Sequence, residues 1–222
     1  MEKILKFDII RHSTKGPDGE LTISGREGAI KYGVLISEEV KNVWIFTSDI
    51  QRCIDTGRLI AKGINKPCRR TVMSMLSEEP YTDERLERLG LSGGKWLLLG
   101  DEHDILPSTK YMAGKIASFI LNSCETAKRY DEEIQILAIS HVPTIMCFLG
   151  HILAESEGIA SINNDIKQKL MGVFEGGFVK PLQGFSMRKL PNDYEITLVG
   201  KSIVVSNTYL SSLANAYVMR SK

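Results

Sequence analysis

The stretch Lys6-Phe7-Asp8-Ile9-Ile10-Arg11-His12-Ser13 constrains this chain more than any other. Phe7, Ile9 and Ile10 form a short apolar run, the pattern of a strand buried in a sheet rather than half exposed. A buried strand rarely finishes in two basic side chains without a partner. In open α/β sheets, ligands are met beyond the carboxyl ends of the strands, so a phosphate or carboxylate is the partner such an end suits. Taken alone, the stretch is explained equally well by Arg11 pairing with a neighbouring Asp or Glu while His12 caps a loop.

The following segments supply the rest of a sheet. Ser24 and Glu27 have capping-box spacing and predict a helix to about Glu38, with Ala29, Ile30, Gly33 and Val34 facing the sheet. Asn42 to Thr47 reads as a second buried strand. Ser48 and Gln51 predict another capped helix to about Lys62, with Ile50, Cys53, Ile54, Gly57 and Ile60 at helical spacing and Gly63 as its stop. Thr71 to Leu76 reads as a third strand, and strand-helix-strand alternation is the grammar of a parallel sheet with right-handed crossovers. Residues 77–108, rich first in charge and then in glycine, break that rhythm and predict a cap over the strand ends, inserted in a single domain spanning 1–222. A helix is expected from Thr109 to Tyr130, with Met112, Ile116, Phe119 and Ile120 inward. A fourth strand, Glu133 to Ser140, ends in Ser140-His141, and Pro143 opens the next helix. After a polar connection from Glu155 to Asp165, a hairpin turns at Pro191-Asn192-Asp193, and Ser202 onward reads as a short strand and an unassigned tail.

Composition narrows the function. A chain of 222 residues can bury a substantial core, and its net charge of +1 lacks the electrostatic footprint of a nucleic-acid or membrane-surface binder, so an anion site must be local. Cys53, Cys68, Cys124 and Cys147 have neither CxxC pairing nor metal-ligand spacing, which predicts free thiols, no structural zinc and a reducing compartment. With no signal-peptide pattern after Met1-Glu2-Lys3 and no apolar run long enough to span a bilayer, a cytoplasmic protein is expected. His103, in Gly100-Asp101-Glu102-His103-Asp104, reads as part of a solvated loop rather than a metal cluster. His151 follows Gly150 near an expected helix end, where a cation suits the dipole, and Trp44 reads as core. Tyr81 and Trp96, in the expected cap, suit either core or substrate contact.

Three β-to-α junctions share one oddity. Arg11 and His12 follow the first strand, Arg52 lies in the first turn of the helix after the second, and His141 follows the fourth. A cation in a first helical turn faces the positive end of the macrodipole, at a cost of roughly 0.3–1 kcal/mol unless an anion offsets it. If those strands are neighbours, two arginines and two histidines converge on one anion pocket, where guanidinium forks match phosphate and a neutral imidazole can attack phosphorus.

These residues carry a resemblance. Arg11-His12-Ser13 resembles the Arg-His-Gly signature of the histidine phosphatase superfamily, the phosphoglycerate mutase-like clan. Leu21-Thr22-Ile23-Ser24-Gly25 through Ala29 is similar to its L-T-x-x-G-x-x-x-A helix start, Ser48 through Gly57 to its S-x-x-x-R-x-x-x-T-A segment, and Ser140-His141 to its late S-H motif. The four matches occur in family order across most of residues 4–150. The resemblance implies a three-layer α/β/α sandwich around a mostly parallel sheet. It also implies a phosphatase that forms phosphohistidine on His12 without a metal or other cofactor. Arg11, Arg52, His12 and His141 would hold the phosphate. Glu78, in Leu76-Ser77-Glu78, would match the family's acid, with Glu79, Asp83 and Glu84 as alternatives. Ser13, Thr14, Lys15 and Glu79 are possible substrate contacts.

The chain also departs from the family pattern. Ser13 stands where the family usually has Gly, and Val142 follows the late histidine without the Asp of the acid phosphatase and phytase branch. Asp18 and Thr82 lie near positions where the mutase branch usually has Asn and Gly, so hydrolysis is expected over mutase activity. The expected partner is a small phosphorylated substrate, not nucleic acid or membrane, and oligomeric state is not legible. A phosphohistidine-type phosphoprotein phosphatase and a phosphate-binding regulatory module that has lost turnover are the competing readings.

Overall fold

Strand β1 (Leu5–Arg11) lies between two neighbours in a seven-stranded sheet. On one side it runs parallel to β4 (Ile134–Ser140), in a register that sets Ile10 beside Ile139 and Arg11 beside Ser140. On the other it runs antiparallel to β5 (Gly184–Lys189). With β2 (Val43–Thr47), β3 (Arg69–Val72), β6 (Asp193–Leu198) and β7 (Lys201–Ser206), the order is β3-β2-β4-β1-β5-β6-β7. The first four are mutually parallel, and the last three form an antiparallel meander. This computed structural model describes residues 5–39, 42–78, 108–174, 177–198 and 200–219. Glu79, Tyr81, Asp83, Glu84, Trp96 and His103, with most of the expected cap, lie outside the described residues.

Helices cover the parallel half on both faces. Alternation along β1 sends Phe7 and Ile9 to one face and Ile10 to the other. Ile10, Ile45 and Ile139 pack under α1 (Ile23–Glu39) and α2 (Gln51–Ile64). Phe7, Ile9 and Ile136 join α3 (Thr109–Ala127), α4 (Val142–Ser156), α5 (Asn164–Val173) and α6 (Asn207–Val218) in a larger core. β4 is buried at every residue, as a strand covered on both faces must be, which explains the apolar run Ile136–Ile139. No helix among the described residues is long and apolar enough to cross a membrane.

Several elements differ locally from expectation. The first helix starts at Ile23, because the Thr22 hydroxyl, not that of Ser24, accepts the Gly25 N–H at 3.0 Å. Its buried stripe is Gly25, Ala29, Gly33 and Ile36, while Val34 is exposed. Gly63 does not end the second helix. A Cβ at Gly63 would overlap the Ile30 carbonyl, and one at Gly33 would overlap the Ile60 carbonyl, so this pair is where α1 and α2 touch backbone to backbone. The helix stops instead at Asn65, in the left-handed region at φ 51°. The expected third strand ends at Val72 and gives way to a 3-10 turn, Ser74–Leu76, whose Leu76 carbonyl accepts the Ser140 hydroxyl at 2.7 Å. That bond ties Leu76, and with it the approach to Glu78, to the end of β4. The helix expected to reach Tyr130 ends at Ala127. The hairpin at Pro191–Asp193 joins β5 and β6 as expected, whereas α5 and α6 had no counterpart in the sequence reading. His151 is buried within α4 rather than at its end, with Nε2 3.1 Å from Thr109 Oγ1.

Candidate active site

The order β2-β4-β1 brings the carboxyl ends of three strands together, and with them Ser48, His141 and His12. His12 is 3% exposed, and its backbone N–H donates to the Ser140 carbonyl at 3.1 Å. Its ring Nδ1 lies 2.7 Å from the Ser13 carbonyl. A carbonyl only accepts, so Nδ1 carries the proton and Nε2 is left with a lone pair. Arg52 reaches the same conclusion from the other side, donating Nε–H to His12 Nε2 at 3.0 Å. Burial pushes the His12 pKa down to about 4, helped by the positive charges of Arg52, Arg11 and Lys15 and opposed by the Ser13 carbonyl. At neutral pH the ring is therefore uncharged, with a defined tautomer and a lone pair on Nε2.

Arg52 sits in the first turn of α2 and is the hub of the pocket. Besides His12, it donates through Nη2 to His141 Nδ1 at 3.1 Å and forms an ion pair with Glu78. Thr56, one turn later, donates its hydroxyl to the Arg52 carbonyl at 2.7 Å and accepts the Ser13 N–H at 3.1 Å. One hydroxyl thus locks the His12–Ser13 loop to the helix that carries Arg52. Arg11, at the end of β1, donates Nη1–H to the Val179 carbonyl at 3.0 Å, while its buried Nε–H has no hydrogen-bond partner. Burial and the adjacent Arg52 lower its pKa, with Glu78 opposing. A desolvated guanidinium with an N–H to spare is suited to an anionic oxygen.

His141 forms the N-cap of α4 and is 1% exposed. Because Nδ1 accepts from Arg52, its proton is on Nε2, which lies 2.8 Å from Ser48 Oγ and 3.4 Å from Cys53 Sγ. Burial, then the charges of Arg52, His12, Lys115 and Arg11, push its pKa down to about 2. Its ring centroid lies 5.5 Å from that of His12. Glu78 Oε1 is 3.6 Å from His141 Nδ1. The preceding Ser77 hydroxyl donates to Asp49 and accepts the Asp49 N–H at 3.3 Å, which pins the Glu78 loop to the approach to α2.

The structure therefore brings Arg11, His12, Arg52, Glu78 and His141 together. The other sequence candidates stand differently. Ser13 is buried, with its hydroxyl donated to the Gly25 carbonyl at 2.7 Å. Thr14 and Lys15 are exposed, and the Thr14 carbonyl accepts the Thr22 N–H at 3.1 Å, which holds this loop to the start of α1. Glu79 is outside the described residues. Sequence reasoning gave Ser48 a cap and a place in the family-like segment, gave Thr56 a place in that segment with no role, and passed over Lys115. The signal for the last two was a hydroxyl at position i+4 from Arg52 and a lysine, 2% exposed, inside the apolar stripe of α3.

Neutral buried histidines give the fold a pH dependence. Both rings have folded pKa values below the unfolded value of about 6.5, so the unfolded chain binds protons first as pH falls. Stability is full above pH 6.5 and declines through the window down to about 4 for His12 and about 2 for His141. By pH 5 each ring removes about 2 kcal/mol, so Tm should drop by several degrees between pH 7 and 5. In His12→Gln and His141→Gln proteins that drop should shrink; an unchanged drop in both would assign acid sensitivity elsewhere.

No protein-family model matches the sequence, and no curated protein matches it. Solved structures do. The chain is 14% identical to a mycobacterial glucosyl-3-phosphoglycerate phosphatase in complex with VO3, over 90% of this chain and 100% of that one, with a TM-score of 0.59. A phosphoglycerate mutase from Bacillus anthracis is 14% identical over 96% of this chain and 97% of that one, at a TM-score of 0.56. Phosphoserine phosphatase from Entamoeba histolytica is 17% identical over 82% of this chain and 90% of that one, at 0.54. At such identities the likeness establishes the fold, and it is the phosphoglycerate mutase-like fold that the sequence motifs implied.

Proposed function

We propose that this chain, with the phosphoglycerate mutase-like fold of the histidine phosphatases, hydrolyses a small phosphomonoester through a phosphohistidine on His12. The observation that carries the reading is His12 Nε2, unprotonated and bonded to Arg52, with the charge of Arg11 and the ring of His141 nearby. The incoming phosphoryl oxygens take over the N–H groups of Arg52, which uncovers the His12 lone pair and separates Arg52 from Glu78. Freed from Arg52, Glu78 takes up the proton of the incoming phosphomonoester monoanion; His12 Nε2 then bonds to phosphorus as the P–O bond to the leaving group breaks, and Glu78 passes that proton to the leaving oxygen. Arg11, Arg52 and His141 hold the non-bridging oxygens, the electrostatic role that dominates phosphoryl transfer. In the second half, Glu78 takes a proton from water, the hydroxide attacks phosphorus and the P–N bond breaks. His12 returns to its neutral form, and the cations of this scheme all belong to the chain itself. Names among the solved structures support hydrolysis of a small metabolite, two of the three above being phosphatases.

The test is hydrolysis of an aryl phosphate in EDTA by wild type, with acid quenching and peptide mapping of the Glu78→Gln protein. Expected are turnover in EDTA and acid-labile phosphate on His12 in the variant. A wild type that bound vanadate in the pocket yet turned over no phosphomonoester would instead favour a phosphate-binding regulatory module.

A further inference from the structure

We propose that Asp49 is a positioning residue that, through the Ser77 hydroxyl, fixes where Glu78 can reach once a phosphoryl group has entered the pocket. The proposal rests on the phosphatase reading and deepens it by naming what holds the acid. Asp49 and Ser77 bond reciprocally across the fold: the Ser77 hydroxyl donates to Asp49 Oδ1, and the Asp49 N–H donates back to Ser77 Oγ at 3.3 Å. Ser77 is buried and directly precedes Glu78. Asp49 stands just before α2, where its side chain would suit a helix cap, yet the N-cap of that helix is Ile50, with no side-chain cap. Its carboxylate is committed to Ser77 instead.

The segment before Glu78 is held at three points. The Met73 N–H donates to the Thr47 carbonyl at 2.8 Å, the Leu76 carbonyl accepts the Ser140 hydroxyl at 2.7 Å, and Ser77 meets Asp49. The first two bind the turn to the ends of β2 and β4, and the third reaches the residue next to the acid. In the free pocket Glu78 has a further restraint, its ion pair with Arg52. On the proposed pathway the phosphoryl oxygens draw Arg52 away. That restraint is then lost at the stage when Glu78 must hand a proton to the leaving oxygen and afterwards take one from water. The two bonds between Asp49 and Ser77 do not pass through Arg52, so they outlast its departure. Asp49 itself exchanges no proton. Its part is to accept from the Ser77 hydroxyl, and asparagine supplies the same acceptor without the charge, whereas alanine supplies none. A general acid must lie within hydrogen-bond reach of the proton it moves, so letting Ser77 turn slows each step that needs Glu78 and no other.

The experiment compares wild type, Asp49→Ala, Asp49→Asn and Ser77→Ala on two aryl phosphates, with acid-labile phosphate on His12 quantified after quenching in the steady state. Asp49 is exposed, so its truncation leaves the core untouched. The leaving oxygen of 4-nitrophenyl phosphate departs as the anion, whereas the more basic oxygen of phenyl phosphate needs a proton. On 4-nitrophenyl phosphate, Asp49→Ala is expected to lose about 10–100-fold in kcat, with a parallel fall in KM and accumulation of phosphohistidine, because only hydrolysis of the intermediate has slowed. On phenyl phosphate its kcat/KM should fall as well. Ser77→Ala, which lacks both bonds, should match or exceed these losses, and Asp49→Asn should restore most of kcat. An Asp49→Ala protein that turns over both substrates like wild type overturns the assignment and leaves the phosphatase reading intact. So does an Asp49→Asn protein as slow as Asp49→Ala, since the charge and not the bond would then be what Asp49 contributes. A wild type that hydrolyses neither substrate overturns the phosphatase reading, and the assignment of Asp49 falls with it.

Discussion

The His12→Ala protein is expected to hydrolyse aryl phosphate at least about 10⁴-fold more slowly than wild type while still binding vanadate. The size follows from what the ring supplies. Its Nε2 is the nucleophile on the proposed pathway, held unprotonated by the Ser13 carbonyl and aimed into a cluster of cations. Removing it leaves Arg11, Arg52 and His141 to bind the anion but gives phosphorus no group to be transferred to. The fold should survive. The ring contributes two hydrogen bonds and sits in a pocket where burial disfavours its charged form, so its loss should lower Tm modestly at pH 7 and less at pH 5. Vanadate binding measured by 51V NMR, together with Tm, separates lost chemistry from lost structure. Residual activity within about tenfold of wild type would mean that water attacks the substrate directly and that His12 merely lines the pocket.

The parallel half of the sheet was legible because its strands are short apolar runs that turn polar where they leave the core. Ile9–Ile10 and Ile136–Ile139 are buried on both faces, and burial on both faces writes itself as continuous hydrophobicity. The anion pocket was legible for the complementary reason: Arg11, Arg52 and His141 stand at strand and helix ends where no local structural need calls for them. The polar second half was harder to read. α5 buries only Ile166, Lys167 and Leu170 among ten residues, so its pattern barely departs from that of a loop, and its cap, Asn163, is equally at home in a turn. At α1, two hydroxyl residues two positions apart competed for one cap, and the choice of Thr22 reflects the loop that docks on the Thr14 carbonyl. Side-chain roles were hidden wherever they depend on distant partners. Ser48 has the spacing of a helix cap, yet its hydroxyl lies against His141, 93 residues away. The position of Glu78 rests on a bond between Ser140 and Leu76, and no local pattern announces it.

Arg52→Lys is expected to lower kcat/KM by about 10²–10³-fold although the charge is retained. Arg52 works as a fork: Nε meets His12, and Nη2 meets both His141 and Glu78. The planar guanidinium lets one side chain cover His12 Nε2 in the free pocket and, on the proposed pathway, turn parallel N–H groups onto two phosphoryl oxygens. An ammonium is a point charge on a flexible stem and reaches one of these positions at a time. Comparison with Arg52→Met separates geometry from charge. Arg52 is the leading cation lowering the pKa of both histidines, after burial itself in His141 and after burial and the opposing Ser13 carbonyl bond in His12. Removing its charge should move the acid limb of the kcat/KM profile, near pH 4 for His12 in wild type, toward higher pH, and lysine should leave that limb nearly in place. Both variants should therefore be slow, but only the methionine variant should titrate differently. A lysine variant with wild-type kcat/KM would reduce Arg52 to a source of potential, and the fork geometry at the start of α2 would then carry no catalytic weight.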